Sequence, residues 1–256
     1  MNWKRVNHYL HIAFLVGVVS LAVPALFAQQ ADDGSLAVPA LFAQQADDGS
    51  LYYPADSQPF GMTYGDWVVA YWQYILSIPL STNPAFGDTT GVYCNLDQGS
   101  GPVYFLNASG FPNTPITRTC TVPAGKALWV PNLLNECSTV EPPPSHGDNP
   151  QELRQCALAG TDAVVLNSVK FVVDGHRIRD VALFRVQGPF YDFVMPAHDN
   201  ILGLEGVTGG SSVVDAYAVM LKPLCRGYHV IHFEGAFGPP HEDWGSYSVT
   251  YNLTVE

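Results

Sequence analysis

Histidine and acidic side chains near the end of the chain have the types and the spacing of a metal site. His232 and Glu234 are two residues apart, so they would share one face of a strand, and His241 follows in the next loop. Imidazole nitrogens and carboxylate oxygens are ligands that zinc and other divalent cations accept. The three residues are therefore the candidate ligands of a divalent metal in a hydrolase-type enzyme. The alternative is a polar strand face with a surface His–Glu contact, because no recognised metal-site spacing is matched.

Glu136 is the candidate for general acid catalysis. It follows the apolar pair Leu133-Leu134 and precedes Cys137, which favours partial burial, and a buried carboxyl with a raised pKa can donate a proton. The alternative is a carboxylate paired with an arginine such as Arg185 or bonded to turn amides. Serine-nucleophile motifs and a glycine-rich phosphate loop are absent from the sequence. The sequence therefore leaves open whether the protein is an enzyme.

Aromatic side chains outside the first 28 residues suggest a binding surface. Exposed tryptophan rings stack on sugar rings, and a polar rim suits hydroxyl groups. Trp72 and Trp244, together with Arg185, are the candidate ligand-binding residues. Trp244 is set among polar residues in the segment 239–245, which favours exposure. The alternative for each tryptophan is packing in the core.

Five cysteines predict two disulfides and one free thiol in an oxidising compartment. We expect the pairs Cys94–Cys120 and Cys137–Cys156, since each closes a short loop of ~20–25 residues, worth roughly 3 kcal/mol in loop entropy. Other pairings stay open on the sequence alone. Cys225 lies in a turn and is the expected free thiol. An exposed thiol needs a base beside it to be reactive, and the sequence places none there.

The elements that position these residues are mostly strands. One helix is predicted within residues 63–79, where aromatic and aliphatic residues recur at helical spacing between a Thr63 cap and a Pro79 stop. A shorter helix is predicted over residues 151–159. Alternation of apolar and polar residues is clearest from Tyr247 to Val255 and predicts a strand with one buried face. The pattern predicts an antiparallel β-sandwich, jelly-roll or immunoglobulin-like, with one buried N-terminal helix.

Four segments carry a resemblance to a known family: Thr63-Tyr-Gly-Asp-Trp67, Thr119-Cys-Thr-Val-Pro-Ala-Gly-Lys126, Glu136-Cys-Ser-Thr-Val-Glu-Pro-Pro143 and His229-Val-Ile-His-Phe233. The chain resembles a family of exported bacterial proteins of uncharacterised function. The resemblance extends over most of the chain after the signal segment and implies export and a shared fold, but no activity. In such proteins a Pro-Pro-Gly-type turn precedes the position of His229. The Cys225-Arg226-Gly227 segment found here supports a non-structural role for Cys225.

The first 28 residues have the layout of a cleaved secretory signal peptide. Lys4 and Arg5 precede an apolar run that ends at Ala28, before a polar segment. Pro24 interrupts the run, which is already short for a membrane span of ~20 residues. We therefore expect export by a Sec-type signal to the periplasm or the extracellular space, with no integral membrane span after cleavage.

A tandem duplication follows, because Leu36–Ser50 repeats Leu21–Ser35 without a change. The repeat also duplicates the cleavage site, so cleavage is expected after Ala28 or after Ala43. The predicted organisation is a signal peptide at 1–28, a duplicate and linker at 29–50, and a single β-sandwich domain at 51–256.

Charge and composition limit the partners. The chain has 23 acidic and 11 basic residues, a net charge of −12, and loss of the signal would make it more acidic. Such a balance argues against nucleic acid and anionic lipid, which need a basic surface. The leading hypothesis is an extracytoplasmic ligand-binding or envelope-associated β-sandwich whose partner is a glycan, a cation or the cell envelope. The metal-dependent hydrolase described above is the second hypothesis, and a purely structural secreted protein is the third.

Overall fold

A computed structural model describes residues 50–256. The predicted signal peptide at 1–28 and, apart from Ser50, the duplicate at 29–50 lie outside the described residues. Within residues 50–256, no helix is long and apolar enough to cross a bilayer.

In residues 50–256, ten strands form two five-stranded sheets. The first sheet has the order β1-β3-β8-β6, and β7 also pairs with β8. Its strands are β1 (Val103–Phe105), β3 (Ala127–Ser138), β6 (Arg185–Gln187), β7 (Tyr191–Val194) and β8 (Gly209–Leu221). The second sheet has the order β2-β10-β9-β4-β5. Its strands are β2 (Ile116–Val122), β4 (Lys170–Val173), β5 (His176–Arg177), β9 (Gly227–Ala236) and β10 (Ser246–Val255). The predicted β-sandwich class is confirmed.

Both sheets are mixed, which corrects the expectation of purely antiparallel pairing. β1 runs parallel to β3, and β2 runs parallel to β10. Parallel neighbours require a crossover connection. The first crossover is β2 itself, since the chain leaves one sheet after β1, adds β2 to the other sheet, and returns as β3 beside β1.

The buried helix predicted near the N-terminus is present as α1 (Tyr64–Ser77). Its start is fixed by a reciprocal cap: the Asp66 amide donates to Thr63 Oγ1 at 3.1 Å, and the Thr63 amide donates to Asp66 Oδ2 at 2.9 Å. Apolar residues occur around most of its circumference, and it packs against β6, β7 and β8. The helix is therefore part of the core.

The second helix, α2 (Pro150–Asp162), packs on β3 and β8. Asn149 caps it by accepting hydrogen bonds from the amides of Gln151 and Glu152. Helix and sheet approach closely at Gly160, where a Cβ atom would lie 2.2 Å from the Asn135 side chain. Only glycine fits this contact.

The cysteines pair as the sequence analysis expects. Cys94 is joined to Cys120, and Cys137 is joined to Cys156. The second disulfide ties α2 to β3. Cys225 is free and exposed.

A buried arginine joins the second sheet to the loops that follow α1 and β1. Arg118, on the core-facing side of β2, is 1% exposed. Its guanidinium donates to the backbone carbonyls of Ala85, Asp88, Asn107 and Ala108 and to the hydroxyl of Tyr251. A buried charge is tolerated when its donors are satisfied in this way.

Arg118→Met would leave the buried carbonyls of Asp88 and Ala108 without a donor while keeping much of the side-chain volume; the carbonyls of Ala85 and Asn107 would keep the Gly110 amide and the Tyr251 hydroxyl. Each unsatisfied buried polar group costs about 1–3 kcal/mol. We expect the free energy of unfolding, measured by urea denaturation, to fall by at least about 2 kcal/mol. The matched control is Arg226→Met at an exposed position, with a change within about 0.5 kcal/mol. Equal effects of the two substitutions would contradict this role of Arg118.

Candidate functional site

The predicted metal ligands are not assembled into one site. His232 Nε2 lies 3.2 Å from Glu234 Oε2, so the predicted sharing of a strand face holds for these two residues. Glu234 also forms an ion pair with Lys170, and that contact holds the pKa of the Glu234 carboxyl below its usual value. His241 instead stacks on Trp244, with ring centroids 3.9 Å apart. In the described part of the chain, no group of three or more His, Cys, Asp or Glu side chains is placed to hold a metal ion.

Trp72 and Trp244 line one pocket, although 171 residues separate them in the sequence. We call it the aromatic pocket. It has a volume of about 190 Å³, and its lining includes Tyr71, Trp72, Phe86, Phe237, Trp244 and Tyr247. A cavity of about 150 Å³ is large enough to bind benzene. The aromatic pocket therefore has the size of a single substituted ring.

Helix α1 and the loop before β10 position the two tryptophans. Trp72 lies in α1, is 9% exposed within the hydrophobic core, and is one of the residues that line the pocket. Trp244 is partly buried and packs edge-on against Phe237, with ring centroids 5.1 Å apart. His241 covers the ring of Trp244 by parallel stacking. The pocket thus combines one wall fixed in the core with one wall on a surface loop.

A few polar groups accompany the aromatic walls. Asn132 is anchored because its Nδ2 donates to the carbonyls of Glu234 and Lys170 at 2.9 and 3.3 Å. This leaves its side-chain oxygen as an acceptor on the pocket wall. Ser109 Oγ accepts the Phe111 amide at 3.0 Å, so its hydroxyl proton is available for donation. The indole N–H of Trp72 is buried and has no acceptor.

Arg185, the third predicted ligand-binding residue, lies elsewhere. It lines an open cleft of about 1080 Å³ that also contains Arg154 and Arg179, which we call the arginine cleft. The Arg185 guanidinium binds the buried carboxylate of Asp215 through two contacts of 3.1 Å and also contacts Asp162. Desolvation opposes its charge, but these two carboxylates outweigh it and raise the pKa of Arg185. Its charge is therefore already neutralised within the protein.

Glu136 is buried, but its partner is a second carboxyl group and not Arg185. Glu136 lies on β3 at 8% exposure and accepts a hydrogen bond from Ser212. Glu141 lies within hydrogen-bonding reach of it and accepts from Ser138 Oγ at 2.8 Å. Burial, followed by the charge of Glu141, raises the pKa of Glu136 well above its usual value. Of the two carboxyls, Glu136 is thus the one whose protonated form the fold favours most.

Comparisons with protein-family models, with curated proteins and with solved structures found no match to this chain.

Several residues of the pocket and of the carboxyl pair have no clear signal in the sequence. Asn132, Ser109 and Phe86 line the aromatic pocket, but separate loops and strands bring them together, so no local spacing predicts their proximity. Glu141 precedes three consecutive prolines, a composition typical of a loop. It also lies only five residues after Glu136, across the turn that ends β3, and this short separation is the one sequence feature that brings the two carboxyls together.

The carboxyl pair predicts a pH-dependent stability. The native state holds a proton on Glu136 that the unfolded chain releases above its ordinary pKa, so stability falls as pH rises above about 4.3. At a pH above the pKa of Glu136 in the folded protein, each unit by which folding raises this pKa lowers the free energy of unfolding by about 1.4 kcal/mol. We expect Glu136→Gln to stabilise the protein at pH 8 and to have little effect at pH 4, as measured by urea denaturation.

The matched control is Glu242→Gln, an exposed acid on the surface loop. It should change the free energy of unfolding by the same small amount at both pH values. An unchanged pH slope in the Glu136→Gln variant would show that the pair does not retain its proton.

Proposed function

We propose that the domain is an extracytoplasmic binding module whose aromatic pocket takes a single hydroxylated ring of carbohydrate type. The observation that carries the proposal is the convergence of Trp72 and Trp244 on one pocket of ring size. Sugar rings present apolar C–H faces that stack on aromatic side chains, and their hydroxyls need a few placed donors and acceptors.

The polar groups of the pocket support this class of ligand. The side-chain oxygen of Asn132 is an acceptor, and the hydroxyl of Ser109 is a donor. Neither group is charged. A neutral polyol ring therefore suits the pocket better than an anion or a cation does.

The setting outside the cytoplasm rests on the disulfides and the charge. Two disulfides persist in an oxidising compartment, and the acidic surface disfavours nucleic acid and anionic lipid. A glycan of the cell envelope fits both requirements, because it is found outside the cytoplasm and presents neutral sugar rings to the pocket. The metal-dependent hydrolase alternative has less support, since its three predicted ligands are not brought together.

Trp244→Ala tests the proposal, because this tryptophan is partly exposed and its removal should leave the core intact. An aromatic stacking contact is worth about 0.5–1.5 kcal/mol. We expect up to about a tenfold rise in Kd for the glycan that the native protein selects on an array, measured by isothermal titration calorimetry.

Phe190→Ala is the matched control, since Phe190 is a half-exposed aromatic residue outside the pocket. It should leave the Kd unchanged. The proposal fails if the folded native protein binds no glycan on the array, or if Trp244→Ala and Phe190→Ala bind the selected glycan equally well.

A further inference from the structure

Cys225 lies beside a histidine and an aspartate in the arrangement of an activated nucleophile. Its Sγ is 3.8 Å from His229 Nε2, and His229 Nδ1 is 2.7 Å from Asp174 Oδ2. The thiol is exposed and is the one cysteine outside the two disulfides. Cysteine, an adjacent imidazole and a third group that orients the imidazole are the elements of nucleophilic thiol sites.

Backbone contacts hold the aspartate in place. Asp174 begins the tight turn between β4 and β5 and has a φ of 50°. Its Oδ1 accepts the Val230 amide at 2.8 Å, and its own amide donates to the Val230 carbonyl at 2.8 Å. These bonds attach the turn to β9, the strand that carries His229. The distance between carboxylate and imidazole is therefore set by the sheet.

The hydrogen bonds of His229 require a proton on both ring nitrogens. Nδ1 faces the Asp174 carboxylate, and Nε2 lies 2.9 Å from the carbonyl oxygen of Cys225. Both partners are acceptors, so each ring nitrogen must donate. Burial opposes the positive charge of the ring. The hydrogen bonds that the ring donates to Asp174 and to the Cys225 carbonyl have the larger effect and raise the pKa of His229.

The other charges around this group support the same protonation state. Desolvation opposes the charge of Asp174. The hydrogen bonds that its carboxylate accepts from His229 and from the Val230 amide have the larger effect and lower the pKa of the carboxyl. The charge of His176 acts in the same direction. On the neighbouring strand β10, the residue opposite His229 is Leu253, which is uncharged. An imidazolium next to a thiol stabilises the thiolate and so increases the ionised fraction near neutral pH.

We propose that Cys225, His229 and Asp174 form a reactive thiol site that exchanges with low-molecular-weight disulfides. The Cys225 thiolate attacks one sulfur of the small disulfide, a new S–S bond forms at Sγ, and the old S–S bond breaks. The other half leaves as a thiolate and takes a proton from water. The small disulfide is itself the oxidant, so no further reactant is needed.

The surroundings of Cys225 favour this chemistry over acyl transfer. Neither the aromatic pocket nor the arginine cleft borders Cys225, so neither can hold an acyl substrate beside the thiol. Disulfide exchange needs only an accessible thiolate. No residue adjacent to Cys225 in the sequence provides this environment, and folding supplies it by placing the imidazolium of His229, from the following strand, beside the thiol.

The test measures the rate of mixed-disulfide formation between the purified full-length protein and oxidised glutathione from pH 5 to pH 9, by intact mass. We expect the native protein to form the mixed disulfide at least tenfold faster than His229→Gln at pH 6, because only the native protein holds an imidazole beside the thiol. At pH 9 the variant should be as fast as the native protein or faster, because a more basic thiolate is the stronger nucleophile.

Two control variants show whether the change in rate comes from the loss of His229 beside Cys225 or from a nonspecific effect of substitution. His198→Gln replaces an exposed histidine outside the site and should keep the native profile, and Cys225→Ser should form no adduct. If His229→Gln fails to fold, Asp174→Asn takes its place and should show the same kind of loss of rate at pH 6. Equal rates for the native protein and the folded variant at pH 6 would overturn the proposal, as would the absence of an adduct on the folded native protein.

Discussion

The guanidinium of Arg118 is the contact on which the arrangement of the aromatic pocket depends. It is a buried cation whose neutral acceptors come from the loops that follow α1 and β1 and from Tyr251 on β10. Two of its acceptor residues, Ala85 and Ala108, also line the aromatic pocket. Charge-assisted hydrogen bonds are stronger than neutral ones, and here they are shielded from water. The wall of the pocket is therefore held by electrostatics as well as by apolar packing.

Local patterns in the sequence predicted the elements well. The helix α1 followed from its periodicity, its Thr63 cap and the Pro79 stop, and the alternation in β10 matched its burial. The second half of β3 was not predicted, because Pro131 interrupts the strand signal and a register shift follows it. Arg118 had a readable signal, since it occupies a core position in the alternation of β2. The parallel pairing of β2 with β10 was not predictable, because it joins Ile116 to Val249, which lie far apart in the chain.

The sites were less predictable than the fold. Trp72 and Trp244 stood out in the sequence as aromatic residues, yet no spacing indicates that they meet. Asp174 precedes Gly175 in a dipeptide typical of tight turns, and this local pattern gives no sign of its contact with His229. Residues three apart on a strand face opposite sides, and His229 and His232 on β9 do so. His229 is buried against the core side, and His232 contacts Thr250 and Glu234 on the other face. One strand thus contributes to two separate polar clusters.

The position of β10 in the second sheet, where it is the neighbour of the edge strand β2, has a consequence for the order of folding. β10 lies between β2 and β9, and its pairing with β2 joins Ile116 to Val249. Until residues 246–255 have been synthesised, β2 has no partner in its sheet and the acceptor Tyr251 is missing. Such long-range closure is slow and leaves strand edges open in the meantime. The nascent chain must therefore remain only partly folded until its last strand is available.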